Sequence, residues 1–509
     1  MTSTDDVKND SPVSDEQPLE ERVNNRSHRP SSDAFKEFMA AHWAADDSEL
    51  PPADEAAPFA LTRRVELSKQ FADTTVVIPA GNPKVRSNDT DYRFRPHSAF
   101  AHMTGLGADH EPDAVLVLEP VDPGTGDGGS DHQATLFFRP MAGRETEEFY
   151  ADARSGEFWI GPRPTLGSLA ARTGIRTEHL DQLGPALAKN AGQTAVAYLR
   201  EVDAQVDALL QDQELADPSI ELAETLSEMR LIKDEYEIDQ MRHSVAATMA
   251  GFDDIVAALP KAKEHPRGER VVEGAFFARA RAEGNDLGYD TIAACGNNAT
   301  ILHWIRNTGE VKDGQLLLVD AGIEADSLYT ADVTRTIPVS GRFSEVQRRI
   351  YQAVLDANDA AFEIVRPGIK FRDVHNKALE VLAHRLSEWG LLPVSVEEAL
   401  SDEGQQHRRW MPHGTCHHLG LDVHDCAQAR REMYLDGTLA PGMIFTIEPG
   451  LYFKKEDLAV PEEYRGNGVR IEDNILVTED GGENLTASMA RTPDEIEAWM
   501  DRIAGKSAS

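Results

Sequence analysis

The sequence predicts an α+β protein of two domains, and three observations carry that reading. The chain has 509 residues, more than one ordinary hydrophobic core accommodates. From 58 to 228, short β-branched runs alternate with helical stretches, the pattern of a smaller α/β domain with a mixed sheet flanked by helices. From 229 to 505, amphipathic helices are separated by strand-like segments that hold acidic residues inside apolar runs. Helices are therefore expected on the outside of a curved sheet.

Residues 1–57 are rich in Asp, Glu, Ser, Asn and Pro. Such a composition buries too little apolar surface to offset its ordering entropy. An acidic arm is expected there, disordered or loosely docked on a partner subunit, with a short helix around 35–43. In the N-terminal domain the first strand is 74–78 (TTVVI), stopped by Pro79, Ala80 and Gly81. Strands at 114–118 (AVLVL) and 134–138 (ATLFF) are separated by the Pro/Gly/Asp-rich loop 119–132. A helical stretch covers 202–215. No GxGxxG or GxxxxGK[ST] follows any of these strands, so no nucleotide site is expected.

The domain junction is placed in LSEMRLIKDEYEI. The C-terminal domain opens with a helix over 233–259, where Ile238, Met241, Val245, Met249, Phe252 and Ile255 form one apolar face and Pro260 ends it. Further helices are expected at 271–282, 346–365 and 371–389.

The net charge of −37 argues against nucleic acid and against anionic membranes as partners, since both are polyanions. It reads as a device for solubility or a salt-tolerant cytosol, with steering of cationic peptides as the alternative. The three cysteines, Cys295, Cys416 and Cys426, give no disulfide framework and no CxxC pair. The first thirty residues hold no apolar signal region, and no apolar run is long enough to span a bilayer. These features predict a cytoplasmic protein.

The chemistry is concentrated between Leu316 and Glu472. Asp320 ends the run Leu316, Leu317, Leu318, Val319, and Asp332, Glu448 and Glu472 lie in similar settings. An unpaired buried charge costs several kcal/mol or more, so something positive must compensate. One arginine could neutralise one carboxylate; four carboxylates converging with a histidine call for metal. In 468–475 strand alternation puts Arg470, Glu472 and Asn474 on one face, with Arg470 and Glu472 about 7 Å apart. The same rule puts Asp332, Thr334 and Thr336 together. The segment WMPHGTCHHLGLDVHD holds His413, His417, His418 and His424, four of the chain's 17 histidines, with Asp422 and Asp425 close by. Gly414 and Gly420 argue against one regular helix through it.

The set DAG…ADVTRT, HGTCHHLG, TIEPGLY and VRIEDN resembles the metallopeptidases of the pita-bread (creatinase/aminopeptidase) fold. Within them it is most similar to the aminopeptidase P, or Xaa-Pro aminopeptidase, family. The likeness covers about residues 58–500. It is weaker in the N-terminal part, where YRFRPHSAFAHMTGL and AVLVLEP resemble the capping domain of aminopeptidase P, prolidase and creatinase.

The resemblance implies a dinuclear site, with Asp320 on one metal, Asp332 and Glu472 bridging both, and His417 and Glu448 on the other. Hard oxygen donors with one imidazole suit Mn²⁺, and also Co²⁺, Zn²⁺ or Fe²⁺. A hydroxide bridging the two metals would be the nucleophile. His303 would lie on the leaving-group side, His424 would contact the scissile carbonyl, and Glu448 would also shuttle a proton. His413 and Arg470 would face the proline side, and Tyr452 would lie near the same pocket. Arg470 pairing with a ligand carboxylate and Tyr452 as plain core are the competing readings, and Cys416 reads as a packed small residue. Asp320 and Asp332 are twelve apart, one more than the family's usual gap; the turn 324–328 is expected to absorb the extra residue. His418 stands where the family often has an aromatic or apolar residue.

The implied activity is removal of an N-terminal residue from peptides with proline second. The alternatives are a prolidase acting on Xaa-Pro dipeptides, a non-catalytic pita-bread binding module, and a dinuclear phosphoesterase. The last would favour more basic residues near the metals. A homodimer or homotetramer is expected, because the capping domain in this family often completes a neighbour's site.

Overall fold

The computed structural model describes residues 30, 32–44, 49–88, 90–108, 110–189, 194–211 and 218–507. Most of the arm expected over 1–57 lies outside them. Its described part carries a helix, Asp33–Ala40, begun by the Ser32 side chain. It docks on the chain's own N-terminal domain. Phe35 meets Tyr150 edge-on, Trp43 meets Phe149, and the Arg144 guanidinium lies 4.9 Å from the Trp43 ring centroid. For the described part, aromatic side chains at 149–158 on the same chain form the surface it packs on.

The N-terminal part is built on strands β1 (Thr74–Pro79), β2 (Val115–Pro120), β3 (His132–Phe138), β4 (Arg176–His179) and β5 (Ala195–Tyr198), in the order β4-β3-β2-β1-β5. The β1–β2 and β2–β3 pairs are antiparallel, and the outer pairs are parallel. Val76, Ile78, Leu116, Leu136 and Phe138 bury one face, while Val77, Val115, Val117, Phe137 and Tyr198 bury the other. Both faces being covered explains why these strands read as continuous apolar runs.

The C-terminal part begins with helices α1 (Glu235–Glu264) and α2 (Gly268–Glu283), which pack on each other. Asp234 caps α1 in a capping box with Glu237. Pro260 does not end α1, contrary to the sequence expectation. Leu259 and Ala262 are buried on either side of it, and their packing carries the helix one turn further while Pro260 itself faces solvent. Strands β6 (Ile292–Cys295), β7 (Leu316–Ala321) and β8 (Val333–Pro338) follow in an antiparallel sheet ordered β8-β7-β6. A second helix pair, α3 (Glu345–Glu363) and α4 (Phe371–Glu388), precedes β9 (Ile444–Ile447), β10 (Gly450–Phe453), β11 (Asn467–Arg470), β12 (Asp473–Val477) and β13 (Gly482–Asn484). Here β12 lies between β9 and β13, and β10 pairs with β11. A bridge between Thr334 and Glu472 joins β8 to the bend between β11 and β12. Helix α5 (Pro493–Ser507) closes the chain against α1.

The two parts meet along a partly buried polar seam. Arg63 donates to Asp234 at 2.7 Å and to the His102 carbonyl, and Arg95 donates to Glu324 and to the Leu421 carbonyl. Asp425, 1% exposed, accepts from Arg230 at 2.9 Å and Lys233 at 3.2 Å. The seam fixes the N-terminal part beside the segment holding His417 and His424. Among the described residues no helix is long and apolar enough to cross a membrane.

Candidate metal centre

Two hairpins create the site. In the β7–β8 pair Asp320 faces Thr334 across the ladder, so Asp320, Asp332 and Thr334 project from one side. The long connection is taken up where Leu328 adopts φ 73° and its amide donates to the Ala325 carbonyl. From the second hairpin Arg470, Glu472 and Asn474 share a face, although the strand breaks at 471–472. Arg470 donates to Asp320 Oδ2 at 2.5 Å, Thr334 Oγ1 donates to Glu472 Oε2 at 2.8 Å, and the Asn474 amide donates to the Asp332 carbonyl.

His417 enters from the loop before β9. Its Nε2 lies 3.3 Å from Asp332 Oδ2 and 3.9 Å from carboxylate oxygens of both Glu448 and Glu472. With Nδ1 donating to the His418 carbonyl at 3.2 Å, Nε2 presents its lone pair to the carboxylates. One ligand atom each from Asp332, His417 and Glu472 lies within 4.8 Å of the others. Asp320 is drawn to one side by Arg470 and by Tyr289, whose hydroxyl donates to Asp320 Oδ1 at 2.6 Å and also contacts Asp332 Oδ1.

These residues line a cavity of about 460 Å³ with His303, His413, Cys416, His424 and the apolar side chains of Ile292, Leu302, Ile305 and Val423. His303 and His424 are exposed at its mouth, and the His424 ring stands edge-on to His417 at 4.6 Å. Tyr452 is not on the cavity wall. It is 4% exposed and lies behind the wall, accepting from Arg470 Nη1 at 3.0 Å and meeting His413 Nε2 at 2.7 Å. Because its oxygen accepts from Arg470, the phenol proton goes to His413 Nε2. His413 Nδ1 then donates to the Gly414 carbonyl at 2.5 Å. Arg470 lines the cavity and also pairs with Asp320. His418 turns away from the cavity and stacks on Phe371 at 4.5 Å.

The donor set fits divalent metal. Four carboxylates face one guanidinium, and among the described residues Glu472 Oε1 is buried without a hydrogen-bond partner. Burial, then mutual repulsion among the carboxylates, pushes Asp332 and Glu472 well above the usual range and Glu448 up to about 8. Asp320 is held below the usual range despite burial, by Arg470 and the Tyr289 hydroxyl. Burial and Arg470 hold His413 down to about 3, so it stays neutral.

Sequence reasoning missed Tyr289. A tyrosine just before a β-run reads as an ordinary core aromatic, and only the fold shows its hydroxyl between two acids. The role of Asn474 was accessible, since the alternation that grouped it with Glu472 also aims it at Asp332.

Two family models match the chain: "Metallopeptidase family M24" over residues 239–479 and "Aminopeptidase P, N-terminal domain" over 60–198. Xaa-Pro aminopeptidase 1 of Streptomyces coelicolor is 48% identical over 497 residues, covering 97% of each chain. Xaa-Pro aminopeptidase 2 of the same organism is 45% identical over 488 residues, 96% of this chain and 100% of its own. Aminopeptidase P from Escherichia coli with the inhibitor Pro-Leu superposes with a TM-score of 0.74 at 30% identity, covering 89% of this chain and 100% of that one.

Proposed function

The chain belongs to the Xaa-Pro aminopeptidases of metallopeptidase family M24, and from that premise we propose how its own residues carry out the reaction. It is a hydrolase, a metallo-aminopeptidase that cleaves the N-terminal Xaa-Pro bond of peptides. It has the α+β pita-bread fold and uses divalent metal ions. We assign residues 58–228 to the capping domain and 229–505 to the catalytic domain.

Asp320, Asp332, His417, Glu448 and Glu472 would hold two ions, Asp332 and Glu472 in contact with both. Bound there, the ions supply hydroxide from water at neutral pH and polarise the scissile carbonyl. The observation that carries the assignment is the convergence of Asp332, His417 and Glu472 within 4.8 Å, with Asp320 and Glu448 on the same cavity. Mn²⁺ is the favoured ion for so carboxylate-rich a set, with Co²⁺, Zn²⁺ and Fe²⁺ also accommodated.

Glu448 faces the cavity and is placed to take up a proton and hand it to the departing prolyl nitrogen, which must leave as an amine. His303 stands on that leaving-group side. His424 directs an imidazole N–H at the oxygen that gains charge in the tetrahedral intermediate. On the proline side His413 and Arg470 form the wall, and Tyr452 holds both through its hydroxyl. His424→Ala is expected to retain both metals and lose about 10²- to 10³-fold in kcat, the effect of removing one such donor. Steady-state kinetics with metal analysis checks it; a change in KM alone would contradict the role.

Cleavage of an Arg-Pro-Pro tripeptide beside an Xaa-Pro dipeptide and a proline-free peptide tests the activity. An aminopeptidase P cleaves the tripeptide and spares the proline-free control, whereas hydrolysis of the dipeptide alone would make the protein a prolidase. A cytoplasmic location accords with three free cysteines. A homodimer or homotetramer is the proposed assembly, to be checked by sedimentation.

A further inference from the structure

The loop that carries His303 is held by a buried carboxylate that no step of the reaction uses. Glu269 lies in the first turn of α2 and is 0% exposed. Its Oε1 accepts from the Cys295 amide and the Asn298 side chain, each at 2.8 Å. Its Oε2 accepts from the Trp304 indole at 2.8 Å and the Gly309 amide at 2.6 Å. Among the described residues no cation pairs with it. Charge-assisted hydrogen bonds and the positive end of α2 stabilise the charge instead.

We propose that Glu269 is a positioning residue for His303, its four accepted hydrogen bonds fixing the loop 296–310 that sets the imidazole at the cavity mouth. The donors are spread along the whole loop: one at the end of β6, one in the first turn, one beside His303 and one at the loop's exit. Within it Leu302, His303 and Ile305 line the cavity, while Trp304 points back to the carboxylate. Only a carboxylate satisfies all four donors. A glutamine of the same size has a single acceptor oxygen and turns its amide NH₂, a donor only, toward two N–H groups. The fit is close: a side chain begun at Gly309 would place its Cβ 2.6 Å from Glu269 Oε1. From the other side Gly468 admits the loop against β11, since a Cβ there would lie 2.1 Å from the Ala299 carbonyl oxygen.

The kinetic consequence rests on the assignment of His303 to the leaving-group side; the loop's dependence on Glu269 does not. The test uses the full-length, metal-loaded enzyme with Glu269→Gln, Trp304→Phe, His303→Ala and the Glu269→Gln/His303→Ala double variant. Hydrogen exchange over 296–310 and metal content are measured beside the kinetics of an Xaa-Pro tripeptide. Glu269→Gln is expected to keep its metal, lose exchange protection across 296–310, and lower kcat/KM about 10- to 100-fold, the cost of misplacing a catalytic group by an ångström or so. The double variant should be no slower than His303→Ala alone. Trp304→Phe removes one of the four donors and should give a smaller change of the same kind, which keeps the inference testable if Glu269→Gln does not fold. Unchanged protection over 296–310, or losses from Glu269→Gln and His303→Ala that multiply, would overturn it. Wild-type kinetics in His303→Ala would instead remove the role given to His303, while the exchange data would still decide whether Glu269 fixes the loop.

Discussion

Replacing Asp332 with alanine is expected to abolish peptide turnover and divalent-metal loading while leaving the fold largely in place. Asp332 sits between the other acids: its carboxylate lies 3.3 Å from His417 Nε2 and is clamped by the Tyr289 hydroxyl together with Asp320. Removing it deletes a donor that we propose both ions share. Activated water and carbonyl polarisation are each worth several kcal/mol to such a reaction, so the loss should be on the order of a thousandfold or more. The fold should survive because the substitution relieves repulsion: burial and Asp320 already push this carboxyl well above its usual range. Elemental analysis, circular dichroism and tripeptide kinetics check the three parts separately. Near-native turnover would remove Asp332 from the centre.

Arg335→Ala is expected to do the reverse, acting first on stability. Arg335 projects from the opposite face of β8 and is 0% exposed. It donates to Asp473 Oδ1 and to the Glu472 carbonyl, both at 2.7 Å, and to the Ala490 carbonyl at 2.9 Å. Asp473 is also fully buried; although burial pushes it up, Arg335 and Arg491 hold it below the usual carboxylate range. Truncating one member of such a pair strands the other charge and costs about 3–5 kcal/mol. Arg491 also reaches Asp473, at 2.9 Å, which places the expected cost at the lower end of that range. Because Arg335 grips the Glu472 backbone, weaker metal retention should accompany the fall in thermal stability. A melting temperature equal to that of the wild type would contradict this account of the pair.

The sequence made the acids legible because burying them is costly. Asp320, Asp332, Glu448 and Glu472 each interrupt apolar β-runs, and strand alternation grouped Arg470 with Glu472 and Asp332 with Thr334 before any coordinates. What stayed hidden depends on long-range contacts. Tyr289 lies 31 and 43 residues from the carboxylates it joins. Arg63 and Asp234, which pin the two parts together, are 171 apart. Glu269 holds two backbone amides and two side-chain N–H groups that lie 26 to 40 residues further along the chain. A local rule also misled where packing outweighed it: α1 runs through Pro260.

The most direct test is a titration of metal-free protein with Mn²⁺, followed by calorimetry and by hydrolysis of an Arg-Pro-Pro peptide at each point. Uptake should saturate at two ions per chain, with full cleavage only when both are bound. Saturation at a single ion with full activity, or an intact peptide at saturating Mn²⁺, would contradict the assignment of Asp332 and Glu472 as the shared ligands of a paired centre.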